Sequence, residues 1–161
     1  MKRSLSFAVV IILVAGSALG QETGTASNPP EDQPFDTDAE QFAKTVEAMQ
    51  PYVDKARATY PEAKQRFKDG LPPGHTFFVT TRLTDIDGLH EQVFIRVTKI
   101  RRGRIWGKIA SDIGFVKGYR YDDFYRFPES ELLDWLIARP DGSEEGNFVG
   151  KFLDEYQKTI P

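Results

Sequence analysis

Catalysis needs groups that ionise, coordinate or attack, and this 161-residue chain carries few of them in patterned form. It has no cysteine, which removes disulfides, thiol nucleophiles and thiolate metal sites together. Its two histidines, His75 and His90, belong to one strand pair but to opposite ends of it. There His90 stands opposite Thr84 and His75 opposite Lys99. About nine residues of strand separate the two by roughly 30 Å, too far to share an ion. No HExxH or GxSxG pattern occurs, and Asp85-Ile86-Asp87-Gly88 is too short for a calcium loop. The expectation is therefore no metal and no cofactor.

Three carboxylates are the candidates for acid-base work. Glu91 alternates with Val93, Ile95 and Val97, which turns it toward an apolar face beside Leu83. A carboxylate in such a place must be paired or hold its proton more tightly. With Asp122 or Asp134 nearby it could serve as the general acid or base of a carboxylate-dependent hydrolase. The plainer role is an ion pair with an arginine.

A binding role rests on other residues. Arg96, Lys99, Arg101, Arg102, Arg104 and Lys108 form a basic hairpin with no acid between Glu91 and Asp112, in a chain of net charge −3. Such a cluster could hold a phosphate, a lipid headgroup or an acidic protein, or it could simply guard a sheet edge against pairing. The stretch after it is dense in rings: Phe115, Tyr119, Tyr121, Phe124, Tyr125 and Phe127. Half of these must face a core, and Tyr119, Tyr121 and Tyr125 are expected at the surface. Arg101, Arg102, Arg104, Lys108, Tyr119 and Tyr121 are thus the candidate binding residues.

The elements that position these groups are legible from periodicity. Residues 75–110 alternate apolar and polar residues in three runs separated by turns, which predicts three antiparallel strands. Bringing the apolar faces together pairs Phe77 with Val97, Val79 with Ile95, Thr81 with Val93 and Leu83 with Glu91. A three-residue turn Arg102-Gly103-Arg104 then pairs Val97 with Ile109 and Arg101 with Ile105. The other face carries Phe78, Phe94, Ile100 and Trp106. Ahead of the strands, Phe42, Val46, Met49, Val53, Ala56 and Tyr60 form a helical stripe expected to cover that second face, with Pro51 interrupting it. Thr59-Tyr60-Pro61-Glu62 reads as the capping box of a further short helix ending at Gly70. Residues 123–127 and 132–138 read as two more strands with a turn between them. Phe148, Phe152 and Tyr156 give a short C-terminal helix. Trp135 should lock the last strand into the core, its indole N–H on a buried acceptor.

The N-terminus has the form of a cleavable export signal over residues 1–20. Lys2 and Arg3 precede the apolar run 7–15, and Ala18-Leu19-Gly20 supplies small residues at the cut. The run is short of the roughly 20 residues a membrane span needs. Residues 21–38 are acidic and Pro-rich and read as a flexible linker, which leaves 39–161 as one domain. The protein is expected to be exported, periplasmic or secreted, without a stable membrane span after cleavage and with no nucleic-acid partner.

Four pieces carry a resemblance in their order and spacing: Ala56-Arg57-Ala58-Thr59-Tyr60-Pro61, Glu91-Gln92-Val93-Phe94-Ile95, Trp106-Gly107-Lys108-Ile109 and Leu132-Leu133-Asp134-Trp135. With the closing Gly146-Asn147-Phe148-Val149-Gly150, they resemble the YegJ-like domain, a bacterial family of unknown function, over roughly residues 39–156. Gln92 stands where that family often has His, and Tyr121 where a Gly is expected before Asp122. The resemblance implies a compact α+β domain and brings no reaction with it.

The fold class expected is α+β: a curved antiparallel sheet of about five strands, of which an SH3-like partial barrel is one form, flanked by N-terminal helices and a short C-terminal helix. The function expected is a non-catalytic binding module that recognises an unidentified envelope protein or an anionic envelope component through the basic hairpin. The hydrolase and a purely structural envelope protein are the alternatives.

Overall fold

The computed structural model describes residues 9–12, 28–29, 32–35 and 39–159. Two short strands, β1 (Val9–Ile12) and β2 (Asp32–Phe35), precede the long helix α1 (Ala39–Asp69). Then follow β3 (Thr76–Thr84), β4 (His90–Arg101), β5 (Arg104–Ile109) and β6 (Phe124–Pro128). A 3₁₀ turn (Glu129–Glu131) leads to β7 (Asp134–Ala138), β8 (Glu144–Gly146) and the closing helix α2 (Phe148–Gln157). The class is α+β. The main sheet is antiparallel, six-stranded and open, in the order β6-β5-β4-β3-β7-β8. Its sixth strand, Glu-Glu-Gly, has no apolar alternation to betray it.

The β3–β4 register is the expected one at Val79–Ile95, Thr81–Val93 and Leu83–Glu91. The β4–β5 register is not. Arg101 pairs with Arg104 and Ile100 with Ile105, whereas Val97 pairs with Gly107 and Ile95 with Ile109. Two features replace the three-residue turn. The turn is Arg102-Gly103 alone, both residues at positive φ (49° and 70°), the backbone twist that two-residue hairpins prefer. The register then shifts by a bulge between Val97 and Lys99.

Ile100 therefore belongs to the inner face and not to the face of Phe78 and Phe94. That inner face packs Phe77, Val79, Leu83, Val93, Ile95, Ile100, Ile105, Ile109, Phe127 and Trp135 into the main core.

The helical region is one helix, not two or three. Pro51 and Pro61 both lie inside α1. An internal proline costs about 3 kcal/mol. Against that, Met49, Val53, Ala56, Tyr60 and Ala63 are all buried on one stripe, and each large apolar side chain among them contributes about 1.5–3 kcal/mol. The expected capping box is not used: Thr59 Oγ1 donates back to the Lys55 and Ala56 carbonyls.

The stripe serves both faces. Its C-terminal half covers the face opposite to the one expected. Met49, which accepts from Gln92 Nε2, and the α2 residues it packs on lie over the expected face beside Thr80, Gln92 and Phe94. Ala56, Tyr60 and Ala63 pack on the inner face with Phe77 and Trp135, while Met49 and Val53 pack on Val149 and Leu153 of α2. The outer face keeps a smaller cluster of Phe78, Phe94, Ala110 and Leu136.

β1 and β2 pair antiparallel, Val9 with Phe35 through Ile12 with Asp32, and β1 lies against β4 and α2. The other residues of 1–38 assigned to an export signal and linker lie outside the described residues, apart from 28–29. Among the described residues no helix is long and apolar enough to cross a membrane.

Candidate binding face

The bulge decides which side chains meet. In an unbroken strand Lys99 and Arg101 would share the inner face with Ile95 and Val97, because side chains alternate with a period of two. The inserted residue reverses that parity. Lys99 and Arg101 turn outward and Ile100 turns in. Thr98 Oγ1 donates to the Trp106 carbonyl across the bulge at 3.2 Å.

Three rows result across the outer face of β4, β5 and β6. Arg96, Lys108 and Phe124 form the first, Lys99, Trp106 and Arg126 the second, and Arg101, Arg104 and Pro128 the third. Arg102 projects from the turn beyond them. Lys99, Arg101, Arg102, Arg104 and Arg126 are exposed, and Phe124 is 78% exposed, unusual for so large an apolar side chain.

Charge on this face is uneven. Asp122 lies against the first row, accepting from Arg96 at 2.9 Å and from Lys108 at 2.5 Å. The Lys108 hydrogen bond and the two cations hold its carboxyl below the usual carboxylate range, against a smaller opposing effect of desolvation. Among the described residues no carboxylate stands within ion-pair distance of Lys99, Arg101, Arg102, Arg104 or Arg126. Two cations lie over rings: Lys99 Nζ is 5.7 Å from the Trp106 centroid and Lys108 Nζ 5.2 Å from that of Phe124. The result is an open basic surface carrying two accessible aromatic groups, suited to an anionic partner that is flat or extended.

Of the residues named from sequence, Arg101, Arg104 and Lys108 join this face and Arg102 borders it. Tyr121 is exposed (48%) in the loop leading to β6. Tyr119 does not join it. Its ring packs edge-to-face on Tyr125, 6.0 Å between centroids, against the inner core, and its hydroxyl donates to the Thr84 carbonyl. Phe124, not Tyr125, is the exposed member of the β6 pair. Trp106, Phe124 and Arg126 complete the face without having been expected there, since their membership depends on cross-strand register.

The carboxylates are not assembled into a catalytic group. Glu91 lies on the inner face and Asp134, paired with Thr80, on the outer one. Glu91 is 1% exposed, and its oxygens accept the N–H groups of Gly114 (2.8 Å), Phe115 (2.9 Å) and Val116 (3.0 Å). An arginine partner is not what it has.

Asp85 extends the same arrangement, accepting from Asp87, Leu89 and Lys117. Desolvation acts to raise its pKa, but the three main-chain donors outweigh it and hold the group below the usual carboxylate range. Together the two side chains pin residues 114–117 along the sheet, filling their lone pairs with main-chain donors.

Asp134, also 1% exposed, caps α2: Oδ2 accepts from Val149 at 2.6 Å and Oδ1 from Trp135 at 2.8 Å. Burial pushes its pKa up to about 7 against the pull of those bonds and of the Phe148 and Gly150 N–H groups. The residue before the helix, Asn147, is left-handed (φ 55°) and makes no side-chain cap of its own.

The histidines are apart as expected, His90 on Thr84 Oγ1 at 2.9 Å and His75 on the Pro73 carbonyl at 3.2 Å. Among the described residues no three His, Asp or Glu side chains are grouped to hold a metal ion. A cavity bounded by Thr80, Gln92, Phe94, Asn147, Val149, Gly150 and Leu153 measures about 10 Å³, room for one water and no substrate.

Comparison with protein-family models, curated proteins and solved structures gives no match. Three of the segments named from the sequence have a shared structural role in this chain. Trp135 Nε1 donates to the Ala56 carbonyl and Thr59 Oγ1, and Arg57 Nε to the Leu132 carbonyl. The Asn147 N–H bonds the Trp135 carbonyl at 2.8 Å. Gly146 (φ 83°) lies where a Cβ would run into Trp135. Three of the quoted pieces thus bind α1, β7 and α2 to one another.

Proposed function

We propose that this chain is an exported, non-catalytic module that binds an anionic partner, an envelope protein or another anionic component of the cell envelope, on the outer face of β4, β5 and β6. The observation that carries the reading is the set of five exposed cations on and beside that face with no carboxylate partner among the described residues, arranged around Trp106 and Phe124. Desolvating unpaired guanidinium groups is useful only if something anionic replaces the water.

Export is proposed from Lys2, Arg3, the apolar run 7–15 and Ala18-Leu19-Gly20. The YegJ-like relationship belongs to the same proposal. Cleavage after Gly20 removes β1, the partner of β2 and a neighbour of β4 and α2, so the secreted form would present more of the sheet than the full chain does.

The test is titration of the full-length chain with inorganic polyphosphate and with an acidic peptide, read by tryptophan fluorescence, beside the variant Arg101→Glu/Arg102→Glu/Arg104→Glu. Saturable binding that weakens with salt and is lost in the variant is the expected result. Equal binding by both proteins, or none by the parent at low salt, refutes the proposal and leaves the hairpin as an edge guard.

A further inference from the structure

We infer that the partner is an extended acidic polypeptide segment, added to the main sheet as a seventh strand beside β6. The inference rests on the binding role proposed for the basic face and adds a second, independent feature, the unpaired rim of the sheet.

β6 is the last strand in the sheet order. The Ile109 N–H bonds the Asp123 carbonyl at 3.0 Å, and the Glu129 N–H the Gly103 carbonyl at 2.9 Å. These bonds fix which residues face β5. Asp123, Tyr125, Phe127 and Glu129 turn their main-chain groups inward to the ladder, so Phe124 and Arg126 must turn theirs outward. Their N–H and C=O groups, with the Pro128 carbonyl, form a short rim with no ladder partner among the described residues.

Natural edge strands are commonly blunted by charge, proline or bulges. Here Pro128 ends the rim, but Phe124 and Arg126 before it keep their outward donors. A polypeptide in the next strand position would lie about 4.8 Å from β6. Its outward side chains would stand beside Phe124 and Arg126, within reach of Trp106 and Arg104 on β5, the next strand in. Acidic residues at alternate positions would meet cations, and apolar ones could cover Phe124.

A phosphate polymer or a lipid headgroup has no alternating N–H and C=O groups to satisfy this rim, whereas an extended peptide does. A second copy of the chain is disfavoured by charge: pairing β6 with β6 places two basic faces side by side.

The experiment uses the full-length chain and three probes at about 50 mM salt. They are an alternating Glu-Thr peptide of roughly ten residues, the same peptide with every backbone nitrogen methylated, and inorganic polyphosphate. On the protein, Phe124→Pro removes an outward N–H while leaving every charge and every bond to β5 in place, and Phe124→Ala controls for the lost ring. The Glu-Thr peptide should bind, methylation should weaken it at least about tenfold, and Phe124→Pro should be weaker than Phe124→Ala by about tenfold.

Equal affinity for the methylated and unmethylated peptides overturns strand addition while leaving the anion-binding face intact. Failure of all three probes to bind overturns that reading as well. A dimer by sedimentation that Phe124→Pro dissolves would assign the rim to a second copy and overturn the inference. If Phe124→Pro does not fold, the methylated peptide alone decides.

Discussion

Replacing Glu91 by Gln tests whether this buried carboxylate is a loop anchor or a spare acid. The side chain accepts three main-chain N–H groups, one on Oε1 and two on Oε2. Glutamine keeps one oxygen. Its better orientation retains the Phe115 and Val116 bonds and turns an NH₂ group against the Gly114 N–H, donor to donor.

One charge-assisted bond worth about 1.5–3 kcal/mol is then lost, and two others fall to the neutral range of about 0.5–1.5 kcal/mol. The expected destabilisation is about 3.5–6 kcal/mol, a large share of the roughly 5–15 kcal/mol by which a domain of this size is stable. Urea unfolding measures the loss, and hydrogen exchange at Gly114, Phe115 and Val116 localises it. Polyphosphate binding should be unchanged, because Glu91 lies on the inner face and the cations on the outer. A loss under about 1 kcal/mol with unchanged exchange would refute the anchor and return Glu91 to consideration as an acid.

Three further outcomes follow from the same geometry. Asp134 is raised to about 7 by burial. Between its ordinary value near 4 and that point the folded chain keeps a proton the unfolded chain releases. Stability should therefore fall as pH rises through about 4 to 7, and Asp134→Asn should remove that slope in pH-dependent urea unfolding. A Cβ on Gly107 would run into the Arg96 carbonyl and Ile95 Cγ2, so Gly107→Ala should lower stability by about 1–3 kcal/mol in thermal unfolding. Asp122→Asn withdraws the only carboxylate bonded to Lys108 among the described residues, so polyphosphate should bind severalfold more tightly to it than to the parent by fluorescence titration. An unchanged affinity would place the binding site away from the first row.

Much of the framework could be read from side-chain periodicity. The alternation of Val79, Thr81 and Leu83 against Ile95, Val93 and Glu91 set the β3–β4 register, because a slip of one residue would have put every apolar side chain in water. The bulge at Val97–Lys99 was also written in the sequence, though less openly. The apolar positions Val93, Ile95 and Val97 are followed by Ile100, a break in parity that an unbroken strand could satisfy only by burying Lys99 and Arg101. Charge burial is the costlier choice, so the strand bulges. The continuity of α1 was not readable. Pro51 and Pro61 are helix breakers by local rules, and what holds the helix together is burial against Phe77, Trp135 and α2, residues distant in sequence.

Local chemistry in this chain determined which segments become helix or strand, that no thiol chemistry is possible, and that positive charge gathers around one hairpin. Only the tertiary structure decided what the isolated polar residues do. Glu91 and Asp134 occupy similar positions in their strands as sequence, yet one closes a loop and the other caps a helix. Each role is set by which main-chain N–H groups the fold carries to it. The same holds for the basic face: Arg126, Phe124 and Trp106 are separated from Lys99 along the chain, and they share a surface because antiparallel ladders bring distant residues within one side chain's reach.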